Sequence, residues 1–370
     1  MKLGVIGYGS RIQHVIQEMI KLDPACTVSA IVDPKSSSYR QREPRLEQHA
    51  VFYDTPEEML ASAKLDGILI GTRCNLHTEM ALKVFPTRIP LFLEKPVATT
   101  MEDLLRLKAG AEQWKPPVAV SFPLRVCDIV QVVKEIVDSG KIGTIEHVQA
   151  VNNVPYGSVY FHNWYRDESL TGGLFLQKAT HDFDYINHVL QHRPVSVCAM
   201  TSKQIYKGRK PAGLHCHQCE EKHSCPDSAA HDENMQCVFG ADTGNEDSGS
   251  ALIAYDTGMH VSYSQNFFAR RGAAARGARF LGYKGTVEFD VYTETVKVFM
   301  HHTDRIETCQ IKSDQSHFGG DKVLARNFID MIQHNKLSIS PIEDGLMSAL
   351  QCLKARESAL TNTFQAINWN

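Results

Sequence analysis

Lys2-Leu3-Gly4-Val5-Ile6-Gly7-Tyr8-Gly9-Ser10-Arg11-Ile12 is the stretch that decides the fold of this chain. The apolar run reads as a strand, Gly7 and Gly9 turn the chain tightly, and apolar residues from 12 to 22 recur at helical spacing. A strand that passes through such a turn into a helix brings backbone amides and the positive end of a helix dipole to a pyrophosphate. Ile12 stands where the third glycine of G-x-G-x-x-G falls, so the turn alone is a modest signal. Its position sharpens it. The second strand ends in Val32-Asp33, where a carboxylate accepts hydrogen bonds from an adenosine ribose diol and repels a 2′-phosphate. NAD is therefore favoured, while Lys35, the serines at 36 to 38 and Arg40 keep NADP as the alternative.

Working outward, strands over 3–7, 28–33, 67–71, 91–94 and 118–122 alternate with helices near 12–22, 55–61, 76–84 and 101–111. Strands separated by helices imply right-handed βαβ crossovers and a parallel, doubly wound sheet. Beyond about 122 the pattern changes. A helix near 128–139, a strand near 146–151, an aromatic loop and a helix near 174–190 lead to closely spaced strands over 250–255, 260–268, 278–282, 286–291 and 296–300, which suit an antiparallel sheet. Helices near 321–334 and 342–360 close the chain. The expected organisation is α/β: residues 1–122 as the nucleotide domain, then 123–370 as an α+β domain with a mostly antiparallel open sheet and a polar, Cys-rich insertion at about 203–248.

The chain has 370 residues, 43% apolar and 22% charged, with a net charge of −3. That balance gives no electrostatic footprint for nucleic acid or an anionic membrane. No basic-then-apolar leader precedes the first strand and no run of about 18 apolar residues occurs, so a cytoplasmic enzyme is the simplest expectation.

Pro90-Leu91-Phe92-Leu93 is a short apolar strand that ends in Glu94-Lys95-Pro96. Open α/β sheets place their chemistry at such strand ends. Moving a hydride from an alcohol needs a base for the hydroxyl proton and a cation or donor for the developing alkoxide; Lys95 suits the second role. Residues 171 to 184, Thr-Gly-Gly-Leu-Phe-Leu-Gln-Lys-Ala-Thr-His-Asp-Phe-Asp, supply the rest. Phe175, Ala179, Phe183, Ile186 and Leu190 recur at helical spacing as a core stripe, which puts Gln177, His181 and Asp184 on a separate polar line.

With these residues in place the chain resembles the Gfo/Idh/MocA oxidoreductase family over nearly its full length. The resemblance rests on Gly7-Tyr8-Gly9, on Thr72 and His77 in Gly71-Thr72-Arg73-Cys74-Asn75-Leu76-His77, on Glu94-Lys95-Pro96, on Gly140-Lys141-Ile142-Gly143, on Gly172-Gly173 leading to His181, and on His317-Phe318-Gly319-Gly320-Asp321. It implies a Rossmann domain followed by an α/β domain whose open sheet commonly mediates oligomers, here a homodimer or homotetramer. It also implies Lys95 and His181 as catalytic, with Gln177, Lys178 and Asp184 beside them. Gly7, Tyr8, Gly9, Ser10, Arg11, Ile12, Asp33, Thr72, Arg73, His77, Glu94 and Lys95 would hold the cofactor. Arg125, Trp164, Tyr165, His181 and His317 would contact the substrate, and the Lys95-Pro96 bond would be cis. Relatives acting on polyols and sugars often carry an acid four residues before the histidine; here that residue is Gln177, so either His181 works with Lys178 or Asp184, or the chemistry has drifted.

The loop Tyr156, Tyr160, Phe161, His162, Trp164 and Tyr165 resembles the family's substrate loop, and aromatic faces with nearby donors suit sugar rings. The expected activity is hydride transfer between nicotinamide and a sugar, polyol or related hydroxy compound. A redox-neutral glycoside-cleaving or epimerising enzyme and a non-catalytic cofactor-binding protein are the alternatives. Cys216, Cys219, Cys225 and Cys237 crowd one polar segment. A loop without an apolar core needs another support, so structural zinc is the leading expectation there, with reduced thiols, a disulfide or an iron–sulfur cluster as alternatives.

Overall fold

The computed structural model describes residues 1–312 and 316–369. They divide into two compact units, Met1–Cys127 with Asp314–Leu350, and Asp128–Ser313 with Gln351–Asn370. The first holds a six-stranded sheet of β1 (Lys2–Ile6), β2 (Thr27–Val32), β3 (Val51–Tyr53), β4 (Gly67–Ile70), β5 (Leu91–Leu93) and β6 (Val118–Val120), in the order β3-β2-β1-β4-β5-β6. Every pairing is parallel. β4, β5 and β6 are buried along their whole length, as expected of strands covered on both faces. Strand order reverses between β1 and β4, the switch point at which such sheets bind nucleotides.

Local chemistry sets the helix starts. Thr55 and Thr100 accept hydrogen bonds from the amides of Glu58 and Asp103 at 3.2 and 3.1 Å, so each caps its helix, Pro56–Ser62 and Met101–Trp114. Helix α1 (Ser10–Leu22) differs: its cap is Gly9, with no side-chain cap and no acid in the first turn. Ile12, Val15, Ile16 and Met19 of α1 join Leu3, Val5, Leu69 and Phe92 in the core. Phe328 packs edge-on against Phe92 at 5.6 Å. It belongs to the helix Gly320–His334, so residues that the sequence pattern groups with the second half cluster with the first unit. The short β3 and the helix Ser36–Arg42 have no counterpart among the expected elements.

The second unit is built on a nine-stranded sheet. Its strands are β7 (Ile145–Asn153), β8 (Pro194–Ser202), β9 (Ser248–Tyr255), β10 (His260–Asn266), β11 (Ala275–Gly282), β12 (Gly285–Asp290), β13 (Thr295–Met300), β14 (Ile306–Gln310) and β15 (Gln365–Ala366), in the order β14-β13-β12-β11-β7-β10-β9-β8-β15. Only β7 and β10 pair in parallel. Burial alternates along β9 and β10, so one face is covered and the other is open. β8 and β14 escape a reading of periodicity, while the Cys-rich segment is the connection from β8 to β9. Among the described residues no helix is long and apolar enough to cross a membrane.

Candidate active site

The two glycines of the nucleotide turn have different tasks. Gly7 has φ +84°, and a Cβ there would lie 2.6 Å from the Thr72 amide nitrogen, so only glycine fits. Gly9 has φ −76°, and a Cβ there would meet nothing nearer than the Gly71 oxygen at 3.8 Å. The space above Gly9 and the uncapped amides of α1 fit a pyrophosphate. Ile12 is explained by a substitution elsewhere: a Cβ on Gly71 would fall 2.0 Å from Ile12 Cγ1. The close helix-to-strand approach that a third glycine would allow is thus provided by Gly71 at the end of β4. Ser10 is exposed beside the turn and Tyr8 is buried; burial, with Glu43 and Tyr39 adding, pushes the Tyr8 phenol up to about 12.

Asp33 sits at the end of β2. One carboxylate oxygen accepts from the Tyr8 amide at 2.8 Å and the other from the Lys35 amide at 2.7 Å. The same side chain that suits a ribose diol therefore also braces the turn. Asp33→Ala is expected to weaken NAD binding and to shift the preference toward NADP, because it removes both the acceptor and the repulsion of a 2′-phosphate. Parallel titrations with the two cofactors test this; an unchanged ratio means that Asp33 does not face the ribose.

Glu94-Lys95-Pro96 follows β5 directly, and the Lys95-Pro96 bond is cis. Arg11 donates from Nε to Glu94 Oε1 at 2.9 Å, from Nη1 and Nη2 to the two Asp321 oxygens at 2.9 and 2.6 Å, and from Nη2 to Ser121 Oγ at 3.0 Å. The guanidinium expected at the cofactor is thus turned onto Glu94 and Asp321, and the side chain of Glu94 is engaged in return. Such bidentate pairing fixes direction as well as charge. His317, at φ +46°, sits 2.7 Å from Asp321 through Nδ1. On the other side of the strand end, His77 places Nδ1 2.7 Å from the Pro96 carbonyl and Nε2 3.2 Å from that of Thr72. Burial holds His77 below its ordinary value, which favours the neutral ring between these two carbonyls. Lys95 is half-buried between these braces. Arg73 is half-buried as well, whereas Arg125 is buried and donates to Asp344 at 2.6 Å and to the Ile339 carbonyl at 3.2 Å.

Burial alone would raise Asp321, but hydrogen bonds from His317 and Arg11 hold it well below the usual carboxylate range. Asp321→Asn takes one of two carboxylates from the Arg11 guanidinium, which keeps Glu94, and losing such charge-assisted hydrogen bonds costs about 2 kcal/mol. A lower denaturant midpoint at neutral pH is the expected result. The depressed group contributes fully above its unfolded value of about 4 and loses that contribution as pH falls toward its folded value. The gap between wild type and variant therefore shrinks on acidification; a gap independent of pH would sink the charge explanation.

In the second unit, Gly172 and Gly173 at φ +74° and +93° lead into a π-helical turn, Phe175–Ala179, continuous with the helix Thr180–Leu190. The core stripe and the polar line are both buried: Gln177, Lys178, His181 and Asp184 are each under a tenth exposed. Gln177 donates to the Thr171 carbonyl at 3.1 Å. The Lys178 ammonium donates to the Tyr156 hydroxyl at 2.8 Å and lies 4.7 and 5.0 Å from the Tyr156 and Tyr160 ring centres. Under His181 runs a network no spacing announces. Asp182 accepts from Asn152 at 2.7 Å, Tyr263 at 2.8 Å and Arg276 Nε at 2.9 Å. Trp164 and Tyr165 stack at 3.8 Å and are half-buried, and Tyr165 meets Tyr160 edge-on at 5.1 Å.

The zinc expectation is corrected. Among the described residues no group of three or more His, Cys, Asp or Glu is placed to hold a metal ion, and Cys216, Cys219, Cys225 and Cys237 are free thiols. Burial raises the Cys225 and Cys237 thiols above their ordinary value. The segment has the support that its composition hides. Tyr206 and Val238 are buried with Val154, Phe161, Leu174 and Phe267, and Asp247 accepts from the amides of Gln204, Ile205 and Tyr206 at 2.9, 2.6 and 3.0 Å.

Two family profiles match the chain. One, described as an oxidoreductase family with an NAD-binding Rossmann fold, covers residues 1–122; the other, the GFO/IDH/MocA C-terminal domain, covers 130–288. The chain belongs to the Gfo/Idh/MocA family and is an NAD(P)-dependent oxidoreductase. Among its relatives are the oxidoreductase YteT of Bacillus subtilis, 26% identical over 318 residues covering 73% of each chain, and the myo-inositol 2-dehydrogenase of Thermotoga maritima, 25% identical over 51% of this chain and 55% of that one. In fold it is similar to levoglucosan dehydrogenase in complex with NADH and levoglucosan, with TM-score 0.81 at 16% identity over 99% of both chains. It is likewise similar to myo-inositol 2-dehydrogenase from Lactobacillus plantarum, with TM-score 0.75 at 18% identity over 100% of this chain and 99% of that one.

Proposed function

We propose that the enzyme moves a hydride between NAD and a hydroxyl-bearing carbon of a sugar, polyol or related compound. The observation that carries this reading is the delivery of Lys95 at the carboxyl end of β5, in the same sheet as the Gly7–Gly9 turn, with Glu94 clamped by Arg11. Bound nicotinamide supplies the hydride acceptor or donor. Lys95 stabilises charge developing on the substrate oxygen and His181 takes the hydroxyl proton. The aromatic loop with Trp164 and Tyr165 presents ring faces to the substrate, and the names of the inositol and levoglucosan dehydrogenases support a carbohydrate-like class. The open sheet face, where Met200 and Leu252 are 73% and 51% exposed, supports a homodimer or homotetramer, and a cytoplasmic location goes with this chemistry.

Gln177 favours a second reading. An amide holds no charge, and one of its N–H groups donates to the Thr171 carbonyl, so a redox-neutral cycle that oxidises and then re-reduces a glycoside is the competitor. Spectroscopy separates the two: assay the purified protein for co-purified nicotinamide, then offer a sugar and polyol panel. Net NADH on the panel supports dehydrogenation. Turnover without net NADH supports the cycle, and an absence of both sinks the assignment of chemistry.

A further inference from the structure

We infer that Glu246, at the end of the Cys-rich connection between β8 and β9, is a positioning residue for the reaction: its carboxylate holds the start of the helix that carries His181 and so aims the imidazole at the substrate. The inference rests on the dehydrogenase reading above and adds a residue to it.

The π-helical turn Phe175–Ala179 begins without help from its own cap, since Leu174 has no side chain that accepts a hydrogen bond. The acceptor comes from 71 residues away. Glu246 Oε1 takes the Phe175 amide at 2.6 Å, and the Leu174 backbone adds to the bonding. Gly173 makes room for this: it has φ +93°, and a Cβ there would stand 3.3 Å from Glu246 Oε2, so the bare glycine lets the carboxylate close on the amides. The Gly173 carbonyl in turn accepts from the Gln177 amide at 3.1 Å. Gly172 is held beside them, its amide on the Glu168 carbonyl at 2.8 Å and its own carbonyl 3.5 Å from Nη1 of Arg356, which pairs with Glu168.

An anion suits this place because unpaired amides and the positive end of a helix dipole converge at a helix start. Burial and the Glu168 carboxylate push Glu246 above its ordinary value, while the backbone hydrogen bonds oppose them. The consequence reaches further than a cap. Gln177, Lys178 and His181 lie within the next two turns and are all buried. Asp182 seats the helix on the sheet through Asn152, Tyr263 and Arg276, but a single seat leaves the tilt of the helix free. Glu246 supplies a second anchor at the helix start, where the wider π-turn has to be kept from tightening into the α form. A misplacement of about 1 Å at a reacting group costs on the order of 100-fold in rate. The neighbouring Asp247 gathers the amides of Gln204, Ile205 and Tyr206, so two adjacent carboxylates tie the Cys-rich connection to its own start and to the helix that carries His181.

The test changes the carboxylate alone. Glu246→Gln keeps the size and one acceptor oxygen but turns the other into an NH2 group, which only donates. The full chain with NAD is assayed on myo-inositol, D-glucose, D-glucitol and D-gluconate by NADH absorbance, with cofactor affinity from NADH fluorescence and folding from melting curves. Glu246→Gln is expected to lower kcat on the order of 10-fold or more, with KM and cofactor affinity within about two-fold of wild type, and Glu246→Asp, which keeps the charge, should recover part of the loss. Thr55→Ala, which removes the cap of a helix in the first unit, is the control: a lower melting temperature with kcat unchanged. The same pattern in Glu246→Gln, or a loss confined to KM or cofactor affinity, overturns the inference. Should Glu246→Gln not fold, Glu246→Asp is read in its place: a reduced kcat at unchanged KM supports the role and a wild-type kcat overturns it. Failure of the dehydrogenase reading shows separately, as a wild-type protein that forms no NADH on any of the four compounds, and the inference falls with it.

Discussion

Lys95→Ala and His181→Ala are each expected to lower turnover by a factor on the order of 100 or more while leaving nicotinamide affinity nearly intact, as for groups that act mainly on the transition state. The structure makes the lysine variant a clean test. The backbone around Lys95 is held by side chains other than its own: Arg11 fixes Glu94 on one side and His77 fixes the Pro96 carbonyl on the other. Truncating the lysine removes an ammonium and leaves the strand end where it was. His181 lies on a helix whose neighbouring residue, Asp182, is satisfied by Asn152, Tyr263 and Arg276, so the helix keeps its seat when the imidazole is lost. Steady-state rates and NADH fluorescence titrations give the two quantities. Full activity in His181→Ala would move the base elsewhere, with Asp184 or Tyr165 next to be changed; a parallel loss of cofactor binding would mean that the residue binds and does not catalyse.

Gly9→Val should give a folded protein that has lost nicotinamide binding by on the order of 100-fold or more, because the new side chain occupies the space in which backbone amides approach the pyrophosphate. The cofactor-free chain has room for it: φ is ordinary and the nearest neighbour of a Cβ is 3.8 Å away. Gly7→Ala is the contrasting control. Its left-handed φ costs a side chain about 1–2 kcal/mol, and its Cβ would press on the Thr72 amide at 2.6 Å, so it should unfold earlier as well as bind poorly. Melting curves and cofactor titrations on both variants distinguish a binding glycine from a folding one. Tight NAD binding by folded Gly9→Val would remove the nucleotide reading of the turn.

Much of this molecule is legible because its signals are local. The run from Leu3 to Ile6, the turn at Gly7 and Gly9, and the apolar spacing of α1 each depend on residues a few positions apart. So does the charged exit Glu94-Lys95-Pro96 from a short apolar strand. The alternation of strands and helices over the first 122 residues and the close strands after 250 declare a parallel sheet followed by an antiparallel one. These features needed no knowledge of what the chain meets in space.

Other features were decided only by folding, and each depends on a partner far along the chain. Nothing near Arg11 in the sequence announces that Asp321, 310 residues away, accepts from its guanidinium. Ile12 reads as a defect until Gly71 provides the close approach. Lys178 reads as a neighbour of His181, yet its ammonium reaches the phenol of Tyr156, because a π-helical turn and the path of the aromatic loop set which side chains face each other. The segment with four cysteines reads as lacking a core because its apolar residues are few, but Tyr206 and Val238 complete a cluster whose other members come from β7's end, the aromatic loop, the start of the His181 helix and β10's end. Periods of 2 and 3.6 residues tell which face of an element is buried; they carry no information about which distant side chain will arrive to satisfy a charge, and that is settled only when the chain closes on itself.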